Sequence, residues 1–172
     1  MKTISVIACL LFLISGTAYT QSDQKVFVFG GYAYGRAIQA DINLHGFDAK
    51  AGVNLTDWIA LVGDFSGGYA GLNEVIDIDA SLYFAGTGPE FHSGDTARVF
   101  AHVFVGAAFA GIDAGGIGVS NTVFATVVGG GVDIGITERI AIRAAQVDWM
   151  HGFGDNGGGI ILRVSTGVVA RF

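Results

Sequence analysis

The sequence predicts an all-β fold, an eight-stranded antiparallel up-and-down transmembrane β-barrel, on three observations. Hydrophobic residues make up 51% of the 172-residue chain and charged residues only 14%, whereas charged residues are about 25% of an ordinary globular domain. Beyond the N-terminal segment, no uninterrupted apolar run reaches the ~18 residues that a membrane-spanning helix needs. The chain instead alternates between strand-like segments and turn signals. A hydrophobic chain of this kind can satisfy its backbone in lipid by closing a barrel.

The N-terminal segment has the features of a secretory signal. A lysine precedes the apolar stretch Ile4–Ile14, and small residues follow it, which is the arrangement of a cleaved signal peptide. Cleavage after Ala18 and cleavage after Thr20 both fit this pattern. The expected organisation is therefore a signal peptide over residues 1–20 and a single barrel domain over residues 21–172.

Cysteine content and net charge exclude several classes of function. The only cysteine, Cys9, lies inside the apolar stretch of the signal, so the mature chain is expected to lack disulfides and thiolate metal sites. The formal net charge is −6, and no basic surface suited to nucleic acid is visible. Nucleic acid is therefore not an expected partner.

Eight segments have strand-like composition. They are Gln24–Tyr34, Ile42–Asn54, Trp58–Tyr69, Ile76–His92, Arg98–Ala110, Thr122–Gly135, Ile140–Gly152 and Gly159–Phe172. The connections between them alternate between two kinds. Tight polar turns are predicted at 54–57, 93–97 and 136–139, and looser loops at 35–41, 70–75, 111–121 and 153–158. This alternation is typical of outer-membrane barrels, which have short periplasmic turns and longer outward loops.

Period-two alternation predicts which side chains point into the barrel. An arginine that faces lipid at mid-membrane costs about 2–4 kcal/mol, so Arg143 and Arg163 are expected to point inward. In the seventh strand a bulge near Ala144–Ala145 would bring Arg143 and Asp148 to the same face. Since buried charges need partners, the inward polar residues predict a salt-bridge network that fills the lumen in place of an apolar core. Its predicted members are Asp48, Lys50, Asp64, Glu90, His102, Asp133, Arg143, Asp148 and Arg163.

Alternation alone leaves open which face of the barrel is outside. A soluble lipocalin-like barrel would have the same period, with its apolar face inward. The polar faces, however, are sparse and rich in glycine, which favours the membrane interpretation. The aromatic residues agree with it, because they are expected near the two membrane interfaces. They are Trp58 at a periplasmic turn and Tyr32, Tyr34, Tyr69 and Trp149 near the loop ends.

The C-terminal strand resembles the assembly signal of bacterial outer-membrane proteins. It ends in the aromatic residue Phe172, which is preceded by alternate residues of one face, namely Val164, Thr166, Val168 and Ala170. The resemblance implies the barrel-assembly machinery as a partner.

The mature chain from Lys25 to Phe172 resembles the OmpA-like family of small outer-membrane β-barrels. The segments that carry the resemblance include Phe29-Gly30-Gly31-Tyr32-Ala33-Tyr34, Gly63-Asp64-Phe65-Ser66-Gly67-Gly68-Tyr69 and Arg143-Ala144-Ala145-Gln146-Val147-Asp148-Trp149. The resemblance implies an outer-membrane location and contact with outer-membrane lipid. The chain stops at the barrel, so tethering to the cell wall through a peptidoglycan-binding domain is not implied.

No catalytic, cofactor-binding or metal site is predicted. The nearest catalytic candidate is His151 with Asp148 and Asp155, but nothing around it resembles a complete catalytic arrangement. Asp77 and Asp79 could hold a divalent cation at the rim, although a solvated loop is the better interpretation.

Three functions therefore stay open. The preferred hypothesis is a structural or surface-interaction protein of the outer membrane, whose ligand is unknown. A narrow pore for ions or small solutes is the alternative, and a soluble lipocalin-like carrier is the least favoured.

Overall fold

Eight antiparallel strands close on themselves in chain order, because β1 pairs with both β2 and β8. The computed structural model describes residues 25–73, 78–114, 117–154 and 159–172. The strands are β1 (Val26–Ala37), β2 (Ile42–Asn54), β3 (Ile59–Asn73), β4 (Ile78–Ser93), β5 (Ala97–Ala114), β6 (Ile117–Gly135), β7 (Ile140–Phe153) and β8 (Ile160–Arg171). The predicted eight-stranded antiparallel barrel is confirmed.

No helix in the described ranges is long and apolar enough to cross a membrane.

The outer connections differ from the prediction. Most of the loops expected at 70–75 and 111–121 belong to strands, since β3 continues to Asn73, β5 continues to Ala114 and β6 begins at Ile117. Glycines and polar residues suggested turns there, yet the backbone ladder between neighbouring strands continues, with Asp113 opposite Gly118. Cross-strand pairing overrides the weak strand preference of these residues, because strand propensity depends strongly on context.

Strands β3 to β6 rise further at the loop end than the other four strands. The pairing of β3 with β2 ends at Tyr69, whereas its pairing with β4 continues to Asn73. On the other side, β6 leaves β7 at Phe124 but stays with β5 to Ile117. The part above Tyr69 comprises residues 70–73, 78–80, 112–114 and 117–119, and we call it the upper sheet. It adds on the order of 10 Å of strand beyond the rest of the rim.

Two periplasmic turns share one local structure. The side-chain oxygen of Thr56 accepts hydrogen bonds from the backbone nitrogens of Trp58 and Ile59, at 3.4 and 3.2 Å. Thr137 does the same for Arg139 and Ile140, at 3.3 and 3.0 Å. Threonine hydroxyls accept hydrogen bonds from backbone groups of turns in this way. Thr56 and Thr137 therefore stabilise the turns predicted at these positions.

The bulge predicted in β7 is confirmed. Arg143 pairs with Gly167 of β8 and the next pair is Gln146 with Ser165, while Ala144 and Ala145 are both exposed. Two residues therefore occupy the space of one. Arg143, Gln146 and all later even-numbered residues of β7 consequently point into the lumen.

The exterior of the barrel is apolar around its middle. Val103 and Val128 pair across β5 and β6 and are 44% and 54% exposed. On the described strands, the outward-facing charged residues are Arg36, Asp79 and Asp113, all at the loop end. Such a wall suits lipid and does not fit a soluble carrier, which would need a water-compatible exterior.

Aromatic side chains mark both ends of this apolar wall. At the periplasmic end Trp58 stacks on Phe91 with ring centroids 6.0 Å apart. Towards the loop end the hydroxyl of Tyr32 and Nδ1 of His45 share a hydrogen bond of 2.5 Å, and Tyr69 is hydrogen-bonded to Tyr83. Amphipathic rings at two levels are the expected interface anchors of a membrane barrel.

Candidate functional site

The centre of the lumen holds a buried lysine between two aspartates. Lys50 Nζ donates to both carboxylate oxygens of Asp48, at 2.9 and 2.8 Å, and to Asp64 Oδ2 at 2.7 Å. The side chains of all three residues are fully buried. Lys50 and Asp64 are direct cross-strand neighbours in β2 and β3, so the local register alone brings this pair together.

Arg163 extends the cluster across the lumen. Its Nε and Nη2 donate to Asp148 Oδ2 at 2.9 and 2.6 Å, and Nη2 also reaches Asp64 Oδ2 at 2.8 Å. Asp148 is its cross-strand neighbour in β7, whereas Asp64 comes from β3 on the far side of the barrel. Arg163 also donates to Ser66 of β3. The guanidinium thereby ties opposite walls together.

Gln146 joins this cluster to a second ion pair nearer the periplasmic end. Its Nε2 donates to Asp148 Oδ2 at 2.5 Å and to Asp48 Oδ2 at 3.1 Å, and its Oε1 accepts from Arg143 Nη1 at 2.7 Å. Arg143 in turn holds Asp133 through Nε at 2.8 Å and Nη2 at 3.2 Å. The amide provides a donor on one side and an acceptor on the other, which an ionised carboxylate cannot do.

His102 connects the cluster to Glu90. Its Nε2 lies 2.9 Å from Asp148 Oδ1, and its Nδ1 lies 3.6 Å from Glu90 Oε2. A ring that carries protons on both nitrogens can donate towards both carboxylates. The hydrogen bond between His102 and Asp148 passes over Gly129 of β6, which is the cross-strand neighbour of both residues. A Cβ added at Gly129 would collide with the Asp148 carboxylate and the Val147 carbonyl, so the hydrogen bond requires glycine there.

Aromatic rings cover the charged groups. The Arg143 guanidinium carbon lies 3.9 Å from the centroid of Phe100 and 4.5 Å from that of Phe29. The ring of His102 stacks on Phe104, with centroids 4.2 Å apart. Cation–π contacts strengthen when water is excluded, so these rings stabilise charges that cannot be solvated.

The nine residues predicted for the lumen all point inward and lie in one connected set of contacts. The expectation that charges replace an apolar core is wrong, because both share the lumen. A buried apolar cluster contains Phe27, Phe29, Val62, Phe84, Phe104, Val127 and Met150 among others. Eight strands present more inward positions than the charged residues occupy, and apolar side chains fill the rest.

Three further participants were missed from the sequence. Gln146 and Ser66 lie on the predicted polar faces, and Arg171 lies on the same face of β8 as Arg163. Arg171 Nη2 lies 3.7 Å from Asp133 Oδ2. The alternation of side chains along each strand predicts that all three residues point inward, but only the structure shows which of them contact the ion pairs.

Charges of both signs are buried together in the described lumen. Its buried carboxylates are Asp48, Asp64, Glu90, Asp133 and Asp148, and its buried cations are Lys50, Arg143, Arg163 and Arg171, with His102 bound to Asp148. A low-dielectric interior tolerates charge only in such compensated sets.

The candidate catalytic group around His151 is not assembled. His151 faces outward beside Phe153, with ring centroids 4.5 Å apart. Asp148 faces the lumen, because odd- and even-numbered residues in this part of the strand point to opposite faces. Asp155 lies outside the described residues. The proposed arrangement is therefore wrong for the pair that the structure describes.

The rim carboxylates are only partly described. Asp77 lies outside the described residues, and Asp79 is the cross-strand neighbour of Asp113. Within the described ranges, no three His, Cys, Asp or Glu side chains lie together in a way that could hold a metal ion.

The closed eight-stranded wall, its apolar exterior and its filled lumen define a small membrane β-barrel. No protein-family model and no curated protein matches the chain. Among solved structures, it is similar to Neisserial surface protein A, with a TM-score of 0.68, 16% identity and coverage of 86% of this chain and 96% of that one.

Two further structures give the same result. The attachment invasion locus protein Ail of Yersinia pestis has a TM-score of 0.59 and 16% identity, with 86% of this chain and 97% of that chain covered. The N-terminal β-barrel domain of Pseudomonas aeruginosa OprF has a TM-score of 0.52 and 18% identity, with 88% and 100% covered. The fold is thus that of the small outer-membrane barrels, as the OmpA-like resemblance implied.

Removing the central guanidinium is expected to destabilise the barrel. Arg163→Leu would leave Asp64 and Asp148 buried without their shared cation, which should lower the free energy of unfolding by about 3–5 kcal/mol. The measurement is the thermal melting midpoint in detergent. Arg36→Leu is the control, because it breaks an exposed pair with Asp41 and should change stability by at most about 1 kcal/mol. Equal midpoints for Arg163→Leu and the parent would contradict a buried network.

Proposed function

We propose that the protein is an integral outer-membrane barrel with a structural or surface-interaction role, and that it is not an enzyme. The observation that carries this proposal is the upper sheet, which rises beyond the rim on four of the eight strands. Lipid covers the apolar wall, so the upper sheet and the loop-end connections are the surface left for a partner outside the cell. Val119 in this sheet is 71% exposed.

The charge at the loop end restricts which charge a partner surface can carry. In the sequence, this end carries six acidic residues and a single basic one, Arg36. The acidic residues are Asp41, Glu74, Asp77, Asp79, Asp113 and Asp155. One structure of Ail is a complex with the heparin analogue sucrose octasulfate, which is a polyanion. Like charges repel, so we infer that this chain prefers a neutral or basic partner surface to a polyanion.

Exposure of the upper sheet is testable by labelling intact cells. The mature chain is expected to lack cysteine, so Val119→Cys and Asp95→Cys each introduce a single thiol, at the loop end and in a periplasmic turn. A membrane-impermeant maleimide should label Val119→Cys on intact cells and Asp95→Cys only after lysis. The measurement is labelled band intensity before and after lysis. The reverse pattern, or labelling of neither thiol before lysis, would contradict the proposal.

The lumen network weighs against the pore alternative. Ion transit would require the Arg163, Lys50 and Asp148 contacts to open together, and those groups would be left without partners during transit. We therefore expect purified barrel in planar bilayers to show no steady conductance above that of the protein-free bilayer. Long-lived, discrete conductance steps from the parent protein would favour the pore.

The terminal strand is proposed to serve as the assembly signal. Val164, Thr166, Val168 and Ala170 alternate with the lumen-facing residues of β8, and Phe172 is 68% exposed. A machinery that reads this strand would contact the aromatic side chain before the barrel closes.

Loss of the terminal aromatic is expected to slow assembly without affecting export. Phe172→Ala should lower the yield of heat-modifiable, folded barrel in the outer membrane, while the processed chain accumulates in the periplasm. The measurement is pulse–chase with gel mobility before and after boiling. Phe91→Ala is the matched control, because it removes another outward phenylalanine near the periplasmic end without touching the terminal strand. Equal yields for the two variants would count against the signal.

A further inference from the structure

Above the ionic network, the lumen opens into a cavity of about 590 Å³ at the loop end of the barrel. We call it the upper cavity. Apolar side chains from strands all around the barrel form its wall, among them Leu44 of β2, Leu82 of β4, Ala110 of β5, Val123 of β6 and Ile161 of β8. The cavity therefore lies along the barrel axis, inside the wall, and not on the lipid-facing surface.

The floor of the upper cavity is closed. Met150 and Phe84 are 3% and 1% exposed and belong to the buried apolar cluster. A void of about 30 Å³ lies between this floor and Arg163, which is room for a water molecule or two. A molecule that enters the upper cavity can be held there, but the network below bars its passage to the periplasm.

The lining of the upper cavity defines the chemistry of an occupant. Among the described residues that line it, none is charged. Of its polar lining residues, Asn121 has the inward parity of β6, whereas Ser81 and Thr122 have the outward parity of their strands. Burial of a charge there would be unfavourable because no partner could compensate it. The volume is within the range of about 300–1,000 Å³ found for small-molecule sites, which are mostly apolar with a few polar groups.

We propose that the upper cavity is a binding site for an uncharged, largely apolar small molecule taken from the outer medium. The inference does not depend on the surface-interaction role. A lipid acyl chain is the other source of apolar matter near the barrel, but lipid lies against the outward faces of the strands and the cavity is ringed by their inward faces. Binding would be driven by burial of apolar surface, with the side-chain amide of Asn121 available for a hydrogen bond.

Met150 provides a reporter for this site. The sequence contains two methionines, and the other, Met1, lies in the predicted signal peptide. The barrel of residues 21–172, in lipid nanodiscs with its methionine methyl labelled with ¹³C, should therefore give a single methyl resonance from the cavity floor. Naphthalene is the probe, because its ring current displaces the resonance of a methyl group that it contacts.

Binding predicts a displacement of the Met150 methyl resonance that saturates as naphthalene is added. The charged analogue 2-naphthoate should leave the resonance unchanged. Ala110→Trp places a large ring in the cavity and should raise the half-saturating concentration by at least about tenfold. Ala107→Trp is the matched control, because residue 107 has the opposite parity in β5 and its side chain faces lipid. It should change that concentration by less than about twofold.

Three results would overturn the proposal. One is a displacement that grows linearly without saturation and is equal in both tryptophan variants, since this indicates partition into lipid. Another is an equal response to 2-naphthoate. The third is no displacement in the folded parent protein. If Ala110→Trp fails to show the heat-dependent gel shift of a folded barrel, Val123→Trp fills the same cavity from β6 and gives the same comparison.

Discussion

The Asp148 carboxylate is the acceptor on which the interior of this barrel depends. One of its oxygens accepts from His102, and the other accepts from Arg163 and Gln146. Strands β5, β7 and β8 are thus linked at one buried point, and Arg163 continues the link to β3. A wall of cross-strand backbone hydrogen bonds fixes each strand only to its two neighbours. Contacts through Asp148 and Arg163 join strands that are not neighbours, which makes the cross-section of the barrel resist collapse or flattening.

The bulge in β7 is the backbone feature that makes this arrangement possible. Without it, Gln146 and Asp148 would face lipid whenever Arg143 faced the lumen, because parity along a strand alternates strictly. One extra residue, shared between Ala144 and Ala145, places all three polar side chains inside. Alanine suits the bulge, since two small apolar side chains can both be exposed to lipid there without a polar group to desolvate.

The lumen is divided along its axis into two chemically different parts. Ion pairs covered by aromatic rings fill the periplasmic and central part, where each charge has compensating partners. Apolar residues line the loop-end part, where few charged residues point inward and a cavity remains. Ion pairs thus occupy the lower part of the lumen, while the cavity and the longer strands β3 to β6 lie at the loop end.

The sequence by itself determined the strand count, the antiparallel order, the β7 bulge and the inward direction of the charged residues. These properties follow from local periodicity and from the high cost of facing charge to lipid. It did not determine where β3 and β5 end or where β6 begins, because glycine-rich segments form strand when a neighbouring strand completes their hydrogen bonds. Nor could it match Asp64 with Arg163 or Gln146 with Asp48, which lie 99 and 98 residues apart. Only closure of the barrel decided those contacts, since it sets which inward side chains meet across the lumen and where apolar residues leave a cavity.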